Sequence, residues 1–315
     1  MVVKQAKLAY IFPGQGVQYV GMGRNLYDGS EAARTVFKQA DKILGFSLSE
    51  LCFNGPDNKL RQTINAQPAI VTLSLAILSA LNNSEGAKKM STPTFVAGHS
   101  LGEYTALAAA GVVDTSTAIH LTRERGRLMH QAGRENPGGM VAVIGLDDAS
   151  LADICEQSGV KIANFNCPGQ LVISGDRKKL NKAMKLAEVK GARRVVPLQV
   201  SGAFHTSYMQ PASDKLAEII HSISFAVPQI PIIGNTTARE ITTAKMAKDE
   251  LLNQLCNSVR WHHSIEYMIH NGITTFVEIG PGNVLSGLIK RIDRNIKTIN
   301  ISDIETITNL ANVLN

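Results

Sequence analysis

Apolar residues recur along this chain in two rhythms that alternate from end to end: short unbroken runs, and longer stretches spaced by three and four. The short runs at 7–12, 95–97, 230–234 and 275–279 read as strands of a buried parallel sheet, with a last strand at 295–302. Helical spacing covers 31–44, with Ala32, Val36, Phe37, Ala40, Ile43 and Leu44 on one face. A second helix opens at Gln67-Pro68, where a first turn tolerates proline, and runs to about 81. Further helices are expected at 103–110, ending at Gly111, then at 114–132 and 285–291, with a surface helix closing the chain. Gly21-Met22-Gly23 is placed in a helix after the first strand, and the polar stretch 82–92 is a loop.

Between 134 and 198 the texture changes. Strand (140–144), helix (149–158), strand (160–164), strand (170–174), helix (177–190) and strand (193–198) follow one another, the split unit of a ferredoxin-like subdomain. It would interrupt a larger α/β unit made of 1–133 and 199–315.

The 315 residues suffice for a large core. The apolar run after the N-terminal lysines is too short for a signal peptide, and no stretch is expected to reach membrane-spanning length, so a cytoplasmic protein without a membrane partner is the simplest reading. Cys52, Cys155, Cys167 and Cys256 form no Cys-x-x-Cys pair, which argues against zinc or a disulfide framework. The net charge of +6 is spread out and only 5% of residues are aromatic, so nucleic acid is not an expected partner. The densest basic stretch, 178–194, suits an acidic protein or equally a solvated helix face.

Chemistry concentrates at Gly98-His99-Ser100-Leu101-Gly102-Glu103. A serine between glycines, after a strand and before a helix, has the form of a nucleophile elbow, although a Gly-Ser turn capping a helix has the same letters. The helix start adds N–H groups and partial positive charge where an oxyanion would form. Pro13-Gly14-Gln15-Gly16, also after a strand, lacks the lysine of a phosphate loop and offers the Gln15 N–H as a second donor.

On the 114–132 helix the apolar stripe Ala118, Leu121, Thr122, Leu128 and Met129 passes through Arg125. A core-facing guanidinium needs either a buried acid or an anionic ligand, and the stripe alone leaves both open. Of the eight histidines, His205 in Gly202-Ala203-Phe204-His205 is the best placed base for Ser100. His99 is expected to point away from its neighbour Ser100.

Together with Glu278-Ile279-Gly280-Pro281-Gly282, these motifs resemble, in order and over nearly the whole chain, the malonyl-CoA:acyl carrier protein transacylases of fatty acid synthesis. The resemblance implies an α/β-hydrolase-like large subdomain with a parallel sheet, and an active site in the cleft beside the inserted subdomain. It implies Ser100 as the acylated nucleophile, His205 as its base, the N–H groups of Gln15 and Leu101 as oxyanion hole, Arg125 as the carboxylate holder, and Met129 and Phe204 as acyl-pocket lining. Members often carry Gln at the position of Arg260, and a main-chain carbonyl in that segment is thought to orient the histidine, so no acidic third member is named. The implied partners are malonyl-CoA and acyl carrier protein, with no metal or redox cofactor and a monomeric enzyme. The same residues would also serve a discrete acyltransferase of polyketide synthesis or a hydrolase of carrier-bound thioesters, and a non-catalytic docking scaffold could keep the fold. Arg125 favours transfer over hydrolysis, and the intact Ser100, His205 and Arg125 set speaks against the scaffold. His205 protonation is expected to slow the first step in mild acid.

Overall fold

The computed structural model describes residues 7–84 and 91–310. Among these residues ten strands build two sheets. The first contains β1 (Leu8–Phe12), β2 (Phe95–Gly98), β7 (Ile232–Ile233), β8 (Glu240–Ile241), β9 (Thr275–Ile279) and β10 (Lys297–Ile301), in the order β10-β9-β1-β2-β7-β8. All neighbours are parallel except β8, which runs antiparallel to β7. Its strands are apolar on both faces because both are covered. Ala9, Ile11 and Phe276 pack against Trp261, Ile265, Leu285 and Leu288 on one side. Phe12, Val96, Val277 and Ile299 face the helices Glu31–Leu44, Thr63–Asn82 and Thr115–Glu135 on the other.

The second sheet holds β3 (Gly139–Ile144), β4 (Lys161–Cys167), β5 (Gln170–Gly175) and β6 (Arg194–Pro197), antiparallel throughout, in the order β4-β5-β3-β6. That is the expected ferredoxin-like succession. Alternation divides its residues: Val141 and Val143 pack under the helices Asp148–Ser158 and Arg177–Val189, while Met140 and Val172 turn toward the larger part.

Several expectations need correction. The second helix begins at Thr63, a turn before Gln67, so Pro68 lies inside it. The proline cannot bond the Ile64 carbonyl, and Arg123 Nη1 donates to that carbonyl instead at 2.9 Å. Gly21 and Gly23 adopt left-handed φ of 100° and 81°, so the first helix starts only at Arg24. Helix Glu31–Leu44 buries Ala33 rather than Ala32.

Helix Thr63–Asn82 is, contrary to expectation, long and apolar enough to cross a membrane by length and composition. Most of its residues are buried in the protein, and a helix apolar all round suits a core. Part of the loop expected at 82–92, the extreme N-terminus and the end of the closing helix fall outside the described residues; Ile304–Thr308 is helical.

The two glycines of the elbow, one ending β2 and one opening the next helix, have no substitute. A Cβ on Gly98 would stand 1.9 Å from the Gly102 carbonyl carbon, and one on Gly102 would stand 2.1 Å from the Phe12 oxygen at the end of β1. Rigid backbone on both sides cannot yield, so Gly102→Ala is expected to lose about 3 kcal/mol of stability in denaturant unfolding. Gly287→Ala is the contrast. This helical glycine has nothing within 4 Å of its Cβ position, and alanine there should gain up to about 1 kcal/mol.

Candidate active site

β2 ends at Gly98, the helix Gly102–Ala109 begins four residues on, and Ser100 between them sits at φ 49°. Among the described residues only Ala238 and His205 (φ 61°) share this left-handed region without being glycine. Both ends of the strained serine are fastened. Its N–H donates to Asn235 Oδ1 at 2.6 Å, and its carbonyl accepts from Gln254 Nε2 at 2.9 Å.

Ser100 Oγ lies 2.8 Å from His205 Nε2. The other ring nitrogen, Nδ1, faces the carbonyls of Gln254 (3.0 Å) and Asn257 (3.1 Å). Carbonyls only accept, so Nδ1 carries the hydrogen and Nε2 is left to accept the serine proton. Burial first, and then the positive charge of Arg125, push the ring down to about 3 from its usual range near 6.5.

Arg125 retains only 1% of its surface exposed. Its Nη1 donates to Gln67 Oε1 at 2.8 Å, and its Nη2 to Gln254 Oε1 at 3.0 Å and to Ser100 Oγ at 3.1 Å. Tyr104 lies beneath, with the guanidinium carbon 5.6 Å from its ring centroid. No described carboxylate forms an ion pair with it. Of the two readings the stripe left open, no buried acid in direct contact supplies the first; burial alone draws the guanidinium below its ordinary range.

These groups open on a cavity of about 400 Å³ between the two sheets. Gln15, Ser100, Leu101, Arg125, Met129, Phe204 and His205 all line it, joined by Met140 and Val172 from the second sheet and by Leu198 and Val284. Leu101 precedes the helix, so its N–H has no intrahelical acceptor. Gln15 is anchored by its side chain, whose Oε1 accepts from Thr63 Oγ1 at 2.8 Å. Met129 Sδ takes a hydrogen bond from Gln67 Nε2 at 3.3 Å, which ties the pocket wall to the support of Arg125.

His99 bonds through Nε2 to Asn166 Oδ1 of β4 at 2.9 Å and stands edge-on to Trp261, and it lines the same cavity as Ser100 and His205. Glu278 accepts the N–H groups of Leu285 (3.1 Å) and Ser286 (2.7 Å), so the motif after β9 ties the strand to the helix Val284–Ile292. The Arg260 side chain is exposed. From this part of the chain the glutamine that reaches the site is Gln254, at the end of helix Ala244–Gln254.

A model of the acyl transferase domain matches residues 9–310. The chain belongs to the acyl transferase family. It is similar to the malonyl CoA-acyl carrier protein transacylase of Bacillus subtilis, 44% identical over 307 residues, which cover 96% of this chain and 95% of that one. The protein of the same name from Staphylococcus aureus is 38% identical over 96% of this chain and 97% of its own length. An acyl carrier protein S-malonyltransferase from Vibrio cholerae superposes with a TM-score of 0.91 at 39% identity, covering 96% and 99% of the two chains. A malonyl-transacylase in complex with its type II polyketide acyl carrier protein superposes at 0.93 with 36% identity, covering 98% and 100%.

In this acyl transferase, sequence reading missed Asn235, Gln67 and Gln254, all buried, and left Glu103 without a task. None of the three lies in a motif. Asn235 and Gln254 fall in segments where the spacing predicts no element, and Gln67 was expected only to open a helix. The depressed His205 makes one measurable statement. Its nitrogen and carbon resonances should stay in the neutral form from about pH 8 to about pH 5. The unfolded chain takes up this proton below about pH 6.5, so the His205 contribution to stability is whole above that pH and lost as pH falls toward 3.

Proposed function

We propose that the protein transfers the malonyl group from malonyl-CoA to the phosphopantetheine thiol of acyl carrier protein, through a malonyl-Ser100 intermediate, in fatty acid synthesis. The observation that carries this reading is the convergence on one hydroxyl of His205 Nε2 at 2.8 Å and Arg125 Nη2 at 3.1 Å. Supporting it are the curated relatives of that name at 38–44% identity over almost the whole chain.

His205 Nε2 takes the Ser100 proton and Oγ attacks the thioester carbonyl. The oxyanion rests on the N–H groups of Leu101 and Gln15, and its collapse expels the CoA sulfur, which leaves as thiol with the proton from His205. The carrier thiol then gives His205 its proton, attacks the serine ester, and Oγ departs with the proton restored. A guanidinium this near the nucleophile meets a carboxylate only two carbons beyond the reacting carbonyl, which favours a three-carbon diacid over a longer one. An uncharged acyl group would leave the buried donors facing it unpaired. Met129 and Phe204 line the acyl pocket.

In this reading residues 1–133 with 199–315 form the catalytic subdomain and 134–198 the inserted one. The enzyme works as a monomer in the cytoplasm, where its four cysteines stay free. It needs no metal or redox cofactor, and neither nucleic acid nor a membrane is a partner. The likeness to a polyketide malonyl-transacylase supports a second reading with the same chemistry. Initial rates with carrier proteins of the two pathways separate them.

Ser100→Ala is expected to abolish the covalent malonyl adduct seen by intact-protein mass spectrometry. Arg125→Ala should lower kcat/KM for malonyl-CoA on the order of a hundredfold, and for acetyl-CoA roughly tenfold or less. A hydrolase would release acyl groups to water as fast as to a thiol and would show no such asymmetry. Acylation should hold level from about pH 8 to about pH 5 rather than fall in mild acid, because burial moves His205 titration down to about 3.

A further inference from the structure

Glu103 is fully buried at the start of the elbow helix, and each group that reaches it is a donor. Asn235 N–H and Nδ2–H both reach Oε1 at 2.8 Å, and Gln254 Nε2–H reaches Oε2. The other end of the Gln254 amide, Oε1, accepts from Arg125 Nη2 at 3.0 Å. A guanidinium can only donate and a carboxylate can only accept, so the amide between them has one permitted orientation. Burial, and after it the second buried carboxylate nearby, Glu250, push Glu103 well above the usual carboxylate range, while the hydrogen bonds donated by Asn235 and Gln254 favour its ionised form. Glu250 has partners of its own. It takes Thr236 N–H and Oγ1–H at 2.7 Å each.

We propose that Glu103 is a positioning residue that sets acyl-group specificity: through the Gln254 amide it supplies the counter-charge of Arg125 while leaving the guanidinium edge beside Ser100 open to a substrate carboxylate. The proposal rests on the reading of Arg125 as carboxylate holder. A charge this deeply buried requires compensation. A carboxylate placed directly against it would give that compensation but would compete with the substrate for the same N–H groups. Moving the negative charge one amide away keeps the attraction and vacates the edge. Glu103 also orients the amide. It claims the NH₂ end, so the carbonyl end must face Arg125. The Ser100 carbonyl shares the NH₂ end at 2.9 Å, and without Glu103 it would hold that end alone.

In Glu103→Gln the new side chain keeps an oxygen for Asn235 but sets an NH₂ against the NH₂ of Gln254. That repulsion displaces the Gln254 amide, and Arg125 loses its counter-charge along with a well-placed acceptor. The ratio of kcat/KM for malonyl-CoA to that for acetyl-CoA should fall at least tenfold, with most of the loss in KM for malonyl-CoA. A purely structural role predicts equal losses for both substrates, and an unchanged ratio would overturn the proposal. Should this variant fail to fold, Glu103→Asp keeps the charge but shortens its reach to Gln254, and the same fall in ratio is expected. An unchanged ratio there overturns the proposal equally. The exchange Glu103→Gln with Gln254→Glu keeps net charge and places the carboxylate against Arg125. It should fold with the malonyl preference still lost, and a wild-type ratio would show that charge placement is immaterial. Arg125→Ala, run in parallel, isolates the underlying reading. Equal losses for the two substrates there would reject Arg125 as carboxylate holder whatever Glu103 does.

Discussion

A guanidinium with 1% of its surface exposed and no described carboxylate against it is the constraint around which the site is arranged. In a structure meant only to be stable, such a charge would be paired or replaced, since leaving it alone in the interior costs several kcal/mol in order of magnitude. Here amide oxygens of Gln67 and Gln254, a tyrosine ring and the serine hydroxyl satisfy it partially. Partial satisfaction is what a binding group needs. A fully paired cation has nothing left for a ligand, and a wholly unpaired one would not stay folded beside a hydrophobic core.

The same charge bears on the base. Positive charge near His205 adds to its burial in disfavouring the imidazolium, so the ring rests neutral with Nε2 ready to accept. Two main-chain carbonyls on Nδ1, rather than an acid, fix its tautomer. A carboxylate in that place would raise the ring toward neutral pH and would also draw on the guanidinium. Carbonyl dipoles orient the ring without adding a second negative charge near the expected malonyl group. Fixing Ser100 and His205 in left-handed conformations is the price of bringing these atoms together, and the bonds from Asn235 and Gln254 hold the serine there.

Most of the scaffold was legible because its period is strong. The parallel strands are unbroken apolar runs, and the ferredoxin-like segment announces itself by the order of its rhythms. Glycines at 98 and 102 were readable for a steric reason that the structure supplies, the crossing of the elbow over Phe12. Where reading failed, a distant group intervened. Pro68 marks no helix start because Arg123, far along the chain, takes over the carbonyl that proline cannot bond. Gly21 and Gly23 interrupt a helix that apolar spacing alone would have extended. Arg125 was visible as an anomaly on its stripe, whereas Gln254 was not. A glutamine at a helix end carries no periodic signature, and its importance lies in three partners, Ser100 and Glu103 of the elbow and Arg125 of the helix Thr115–Glu135.

The inserted sheet is tied to the chemistry by more than the wall it lends to the cavity. Its edge strand β4 takes the segment after Asn257 as an extra partner. Val259 N–H donates to the Ala163 carbonyl at 2.8 Å, Phe165 N–H to the Val259 carbonyl at 2.9 Å, and Ser258 Oγ–H to the Ile162 carbonyl at 2.6 Å. Asn257, immediately before, presents one of the two carbonyls on His205 Nδ1. On the other side, Arg260 N–H donates to the carbonyl of Asn235, whose side chain holds the serine N–H. The segment 257–260 is thus gripped by β4 on one side and by the turn after β7 on the other, and the orientation of the base depends on their mutual position. His99 adds a parallel tie, from the residue before the nucleophile to Asn166 on the same edge strand. An edge strand otherwise exposes unpaired backbone groups; here those groups are used to hold the imidazole-bearing side of the cleft against the serine-bearing side.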